Sequence, residues 1–172
     1  ISGWKRPSVR SAIADTDTDL VDADSPTFAS VTLAVSGLLD GNAETLVLDG
    51  DTFALATAVA GQNTTGGNYH VVITTGAGTA ALTITKQGGG TFSEIETETL
   101  IEAIRYRHTD TSAPTDGDRL IDVTVNDGAL DSAAARTTIN VNPMNDAPVV
   151  TAPGAALSAT EQVGLAIHGT GF

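Results

Sequence analysis

The residues able to do chemistry are carboxylates. The chain has 172 residues, with 21 Asp and Glu against 8 Lys and Arg, a formal net charge of -13. Fifteen of the acids are Asp, and thirteen of them gather at Asp15 to Asp24, Asp49 and Asp51, Asp110 to Asp118, Asp127 and Asp131, and Asp146. Carboxylate oxygens drawn from several loops suit hard cations, calcium above all, which takes oxygen ligands in number and accepts backbone and Asn carbonyls too. Asp22 and Asp24 are alternate residues at the start of a strand, so both side chains face one way and can meet one ion. Asp127 in an Asp-Gly turn is a further candidate. Asp15, Asp17 and Asp19 repeat the alternate spacing. The competing reading is a turn, because Asp bonds its own nearby backbone and is favoured there without any ion.

Other chemistries find less. Without cysteine there is no disulfide, thiolate metal site or cysteine nucleophile. The three histidines, His70, His108 and His168, stand in no HExxH pattern, and the chain has no GxSxG elbow and no P-loop. The expectation is that this is not an enzyme. The acidic balance argues against nucleic acid, since phosphate binding needs a basic face. No apolar run approaches the ~20 residues of a membrane span, so no membrane insertion is expected. Residues 1–10 carry Lys5, Arg6 and Arg10 without a following apolar core, unlike an intact signal peptide. A binding module for sugar or protein stays open as an alternative. Its surface would be the loop 60–68 with Gln62, Asn63, Thr64 and Thr65. A glycoside-acting domain is the remotest alternative; Trp4 and Tyr69 are its stacking candidates, the low aromatic content argues against a sugar-stacking cleft, and Tyr69 is expected to pack instead. Asn63-Thr64-Thr65 also fits the N-glycosylation pattern.

The elements that must position these groups are strands. Val31, Leu33 and Val35 alternate within 28–36. Phe53, Leu55, Thr57 and Val59 form a second run, and Tyr69, Val71 and Ile73 a third. Leu82 and Ile84, then Ile121, Val123 and Val125, then Ile139 and Val141 complete the series. Period-two alternation marks strands with one buried face. Asp49-Gly50, Gly66-Gly67, Gly76-Ala77-Gly78, Gly88-Gly89-Gly90 and Asp127-Gly128 separate them. Asp127-Gly128 predicts a hairpin between 119–126 and 133–142. One segment differs. Leu100, Ala103 and Ile104 predict a short helix over 97–105, with Ser93 and Glu96 spaced as a capping box. Tyr106 is then expected inward, between outward Arg105 and Arg107. The fold class is all-β: an immunoglobulin- or cadherin-like β-sandwich with one short helix.

Four segments carry a resemblance. They are Leu100 to Tyr106, Ala113-Pro114-Thr115-Asp116-Gly117-Asp118-Arg119, Val123-Thr124-Val125-Asn126-Asp127-Gly128, and Val141 through Asn145-Asp146-Ala147-Pro148-Val149. Taken in this order they are similar to the cadherin-like, immunoglobulin-like tandem repeats of large bacterial surface and secreted proteins. Asp22-Ala23-Asp24-Ser25 and the stretch Leu38 to Leu46 resemble the opening of such a module. The resemblance implies a structural extender or adhesion module, extracellular or at the cell surface, in a protein often exported by type I secretion. It implies junctions stiffened by calcium, with Asn145 and Asp146 as linker ligands and Glu161 contributed by the following module. The implied partners are neighbouring repeats of the same polypeptide, with a host or biofilm surface ligand beyond them.

The implied organisation is a tail over 1–13, one sandwich over 14–142, and a linker with the first strand of a following repeat over 143–172. Residues before Ala14 do not match the family's first strand. A module lacking that strand leaves an open edge. The strand-like 157–167 could fill it within its own chain or in a neighbouring one, the latter giving a strand-exchanged homo-oligomer.

Overall fold

The computed structural model describes residues 10–14, 20, 22, 25–110 and 113–143. The expected linker and following strand, 144–172, and Trp4 and His168 with them, lie outside the described residues, so the strand exchange does too.

The strands are β1 Arg10–Ala12, β2 Thr27–Phe28, β3 Ser30–Ser36, β4 Glu44–Leu48, β5 Asp51–Ala54, β6 Val59–Asn63, β7 Tyr69–Gly76 and β8 Thr79–Lys86. After β9 Phe92–Ser93 comes the single helix, α1 Glu94–Ala103, followed by β10 Arg105–His108, β11 Gly117–Asn126 and β12 Ala135–Val141. A 3-10 turn at Gly41–Ala43 precedes β4. One antiparallel sheet runs β12-β11-β3-β8-β7-β6 and a second runs β1-β10-β4-β5. The central orders β12-β11-β3 and β1-β10-β4 are those of strands G-F-C and B-E-D in immunoglobulin-type sandwiches. Strands β8, β7 and β6 widen the first sheet, and β5 widens the second. The fold is therefore an all-β sandwich with one short helix, as the alternation implies.

The core follows from the alternating rows. Val31, Leu33 and Val35 from β3, Val71 and Ile73 from β7, Leu82 and Ile84 from β8, Ile121 from β11 and Ile139 from β12 join Leu46, Leu48 and Tyr106 of the second sheet in one apolar cluster. Fully burying a side chain of this size gives roughly 1.5–3 kcal/mol, so these rows hold the sheets together.

The expected run through Phe53, Leu55, Thr57 and Val59 is not one strand. Phe53 and Leu55 are buried, but β5 ends at Ala54 and a turn precedes Val59. Asp49 and Gly50, with φ of 50° and 90°, turn the chain between β4 and β5, the left-handed pair that two-residue hairpins need. Helix α1 begins three residues earlier than the apolar spacing predicts. The capping box itself ends the preceding strand: Ser93 Oγ accepts the Glu96 amide while Glu96 accepts the Ser93 amide. Leu100 and Ile101 face the core, Ala103 does not, and Arg105 already belongs to β10. Tyr106 is fully buried between half-buried Arg105 and Arg107, as expected.

The sandwich has two distinct ends. Ser30 pairs with Asn126 and Tyr69 with Lys86 at the end that carries the start of α1, here the helix pole. Gly117 pairs with Val141 at the other end, here the arginine pole, where the chain leaves β12. Gly37 lies there with φ of 78°, so close to the Asp118 carbonyl that a Cβ would sit 2.5 Å from it; only glycine fits.

Candidate functional site

Two clusters concentrate charge, one at each pole. At the arginine pole the inward rows of three strands end in polar residues. Glu44 shares the parity of Leu46 and Leu48, His108 that of Tyr106, and Arg119 that of Ile121 and Val123. Alternation therefore drives all three inward, and all three are buried. Arg119 Nε donates to Glu44 Oε1 at 2.5 Å, and its Nη2 donates to Asp40 Oδ2 at 3.1 Å. The remaining guanidinium bonds go to the carbonyls of Gly117 and Thr115, at 3.0 and 3.1 Å.

The acids are held as firmly. Glu44 also accepts from the Tyr106 hydroxyl at 3.1 Å and from the amides of Leu39 and Asp40. Asp40 accepts from the Thr115 amide at 2.8 Å and the Thr115 hydroxyl, and lies 2.9 Å from His108 Nε2. Burial alone would raise the Asp40 pKa; the Thr115 and His108 bonds outweigh it and hold the group below the ordinary 3.8. Burial also opposes the Arg119 charge, but Glu44 and Asp40 keep its pKa above the usual arginine value. The Tyr106 phenol is raised well above its ordinary range by burial and by the neighbouring Glu44 charge.

Asp40, Glu44 and His108 could by distance alone hold a metal ion, since one ligand atom from each lies within 4.8 Å of the others. The donor set argues otherwise. A guanidinium bonded to both carboxylates already supplies the positive charge, and a second cation beside it would meet its repulsion. This cluster works as an ionic plug closing the end of the sandwich. Neither it nor the burial of Arg119 is among the sequence expectations, although the parity of the three rows contains the signal.

At the helix pole the structure brings together Asp22 and Asp127, two of the expected ligands, and adds Asp131. They line one cleft of about 270 Å³ with Leu20, Phe28, Val125, Leu130 and Ser132. Asp127 Oδ1 accepts the amides of Ala129 and Leu130, both at 2.7 Å. These bonds hold its pKa below the ordinary value against an opposing push from the Asp22 charge. Asp127 is thus a turn-forming residue as well as an acid within reach of another. Asp22 Oδ1 accepts the Ser25 amide at 3.4 Å. Asp24, Asn145, Asp146 and Glu161 lie outside the described residues, as do Asp15, Asp17 and Asp19.

Elsewhere, Asp49 is a clamp. It accepts the Thr64 hydroxyl at 2.5 Å, the Asn68 amide at 3.1 Å and the Asn68 side-chain amide at 2.9 Å. Asp51 accepts the Thr65 amide. The segment 60–68 is therefore half strand, through β6, and half a tethered turn, not the long open loop expected of it. His70 pairs with Asn63 on the exposed side of the β6–β7 hairpin, on a different sheet from His108. Among the described residues no helix is long and apolar enough to cross a membrane. No protein-family model, no curated protein and no solved structure matches the chain.

Proposed function

We propose that this chain is a structural extender or adhesion module of a repetitive cell-surface or secreted protein, with calcium stiffening its junctions. The observation that carries the reading is that Asp22, Asp127 and Asp131 line one cleft at the helix pole, with the Asp22 charge felt at Asp127. Three carboxylates on one cleft are the donor chemistry a hard cation takes, and an ion there would relieve their mutual repulsion. Calcium needs about 6–8 oxygens. In this reading Asp24 and the linker and following-module residues Asn145, Asp146 and Glu161 supply further ones at successive junctions. Neighbouring repeats are the partners, the location is extracellular, and no catalytic role is assigned.

Thermal unfolding in EDTA and in millimolar calcium tests this. An ion that binds only the folded state at about 100 times its Kd adds about 2.7 kcal/mol, a rise of roughly 5–10 °C for a chain of this size. Asp22→Asn with Asp127→Asn should remove most of the rise. An identical Tm in both buffers refutes the calcium junction.

A further inference from the structure

A second concavity lies at the helix pole, away from the aspartate cleft. Tyr69 opens β7 and pairs with Lys86 at the end of β8. Phe92 lies behind them, and the first turns of α1 set Ile95, Glu96 and Thr99 over the gap, with Asn68 at its edge. The result is a pocket of about 170 Å³. One wall is apolar. Phe92 is buried, Tyr69 is half-buried, and their rings stand 6.0 Å apart at 50°. Ile95 is 74 % exposed, one of three large exposed hydrophobics among the described residues.

The other wall is polar and has bonding capacity to spare. Lys86 Nζ donates to Glu96 at 2.8 Å and to the Thr91 carbonyl at 3.3 Å, and an ammonium has a third proton. The Asn68 side-chain amide donates to Asp49 and to the Gly66 carbonyl, and its side-chain oxygen is an acceptor. The Thr99 hydroxyl stands exposed on the helix.

We propose that this pocket is a saccharide subsite that takes one neutral pyranose ring. A pyranose has an apolar C–H face and a rim of hydroxyls that both donate and accept. Its apolar face suits Tyr69 and Ile95, and its rim suits Lys86, Asn68, Glu96 and Thr99. An aliphatic side chain of a protein partner would cover the same polar groups without bonding them, which costs free energy. An anionic sugar is opposed by the net charge of -13, and the local Lys86–Glu96 pair is neutral. The donors stand on a strand pair and a capped helix, so little ordering is required. A single ring in so small a site binds with a Kd on the order of millimolar. The site is distinct from the aspartate cleft: the two share no lining residue, although Phe92 pairs with Phe28 of that cleft through β9 and β2.

The test is an amide NMR titration of the full chain in EDTA with methyl glucoside, methyl galactoside and methyl N-acetylglucosaminide. At least one sugar should produce saturable shifts centred on Asn68, Tyr69, Ile95 and Thr99, with the same Kd when calcium replaces EDTA. Thr99→Val and Ile95→Ser change exposed side chains and leave the fold readable in the same spectra; each should weaken binding by about threefold or more. The proposal fails if no sugar saturates, if shifts centre elsewhere, or if both variants bind as the parent does. It also fails if N-acetyl-leucine amide shifts these residues and the sugars do not, since the pocket would then be a protein contact.

Discussion

Removing Arg119 is the sharpest perturbation of the ionic plug. Its guanidinium is fully buried and is bonded to a fully buried Glu44 and a mostly buried Asp40. Arg119→Met keeps much of the volume but leaves the buried Glu44 carboxylate without its cation. Breaking a buried pair from one side costs about 3–5 kcal/mol. Asp40 adds little, since Thr115 and His108 still bond it at the mouth, and the freed Thr115 carbonyl belongs to an exposed residue that can turn to water. The expected loss is therefore about 4 kcal/mol, against a total stability of roughly 5–15 kcal/mol. Glu44→Gln still accepts from Leu39 and Tyr106 while removing the charge, and should cost about 2–3 kcal/mol. Combining the two leaves no stranded charge, so the double variant should cost about as much as Arg119→Met alone, a coupling of about 2 kcal/mol. Urea unfolding followed by far-UV circular dichroism, with the slope checked across variants, measures all four corners of the cycle. A cost below about 1.5 kcal/mol for Arg119→Met, or additivity within about 0.5 kcal/mol, refutes the plug.

Three further outcomes follow from single residues. Asp40 and Asp49 both titrate below 3.8 in the fold, so their stabilisation is present above that value and is lost as pH falls through their folded-state pKa; Asp49→Asn should flatten the fall in urea midpoint between about pH 5 and about pH 2. Ser93→Ala removes the capped amide of Glu96 at the start of α1 and should cost about 1 kcal/mol, read by thermal unfolding. Tyr106→Phe removes one of the two bonds to Glu44 Oε1 while Arg119 keeps the other, so about 1 kcal/mol is expected, and a change near the Arg119→Met value would show that the phenol, not the guanidinium, governs the cluster.

Much of the sandwich is legible in the sequence because burial of one sheet face imposes period two directly on residue type. Val31-x-Leu33-x-Val35 and Ile121-x-Val123-x-Val125 could face only one way. The break between Leu55 and Val59 is less visible, because parity persists across a short turn while hydrogen bonding does not. The helix start is hidden for a related reason. Glu94, Ile95 and Glu96 carry no apolar stripe, and only the Ser93–Glu96 spacing marks where the helix begins. Of the six expected ligands, Asp22 and Asp127 are brought together by tertiary packing, which no local pattern encodes. Arg119 is the instructive omission. Its parity with Ile121 places it inside, but its charge argues for the surface, and the decision rests on Glu44 some seventy-five positions away in the chain.

The two poles differ in how they hold their acids. At the arginine pole the inward rows run out of apolar residues before the sheets end, and Glu44, His108 and Arg119 fill the remaining depth. Burying them requires internal neutralisation, because an uncompensated charge at that depth costs several kcal/mol; Arg119 matches the buried Glu44 and also bonds Asp40, which Thr115 and His108 hold at the mouth. At the helix pole α1 covers the core with Leu100 and Ile101, and no arginine is needed. Asp22, Asp127 and Asp131 line a cleft there, with Asp127 accepting the amides of Ala129 and Leu130 and Asp131 accepting from the Asn126 side-chain amide. The net charge of -13 is thus unevenly placed: Glu44 and Asp40 share a buried guanidinium, whereas Asp22, Asp127 and Asp131 share a cleft, and under the calcium proposal an added ion should raise the stability through the second group.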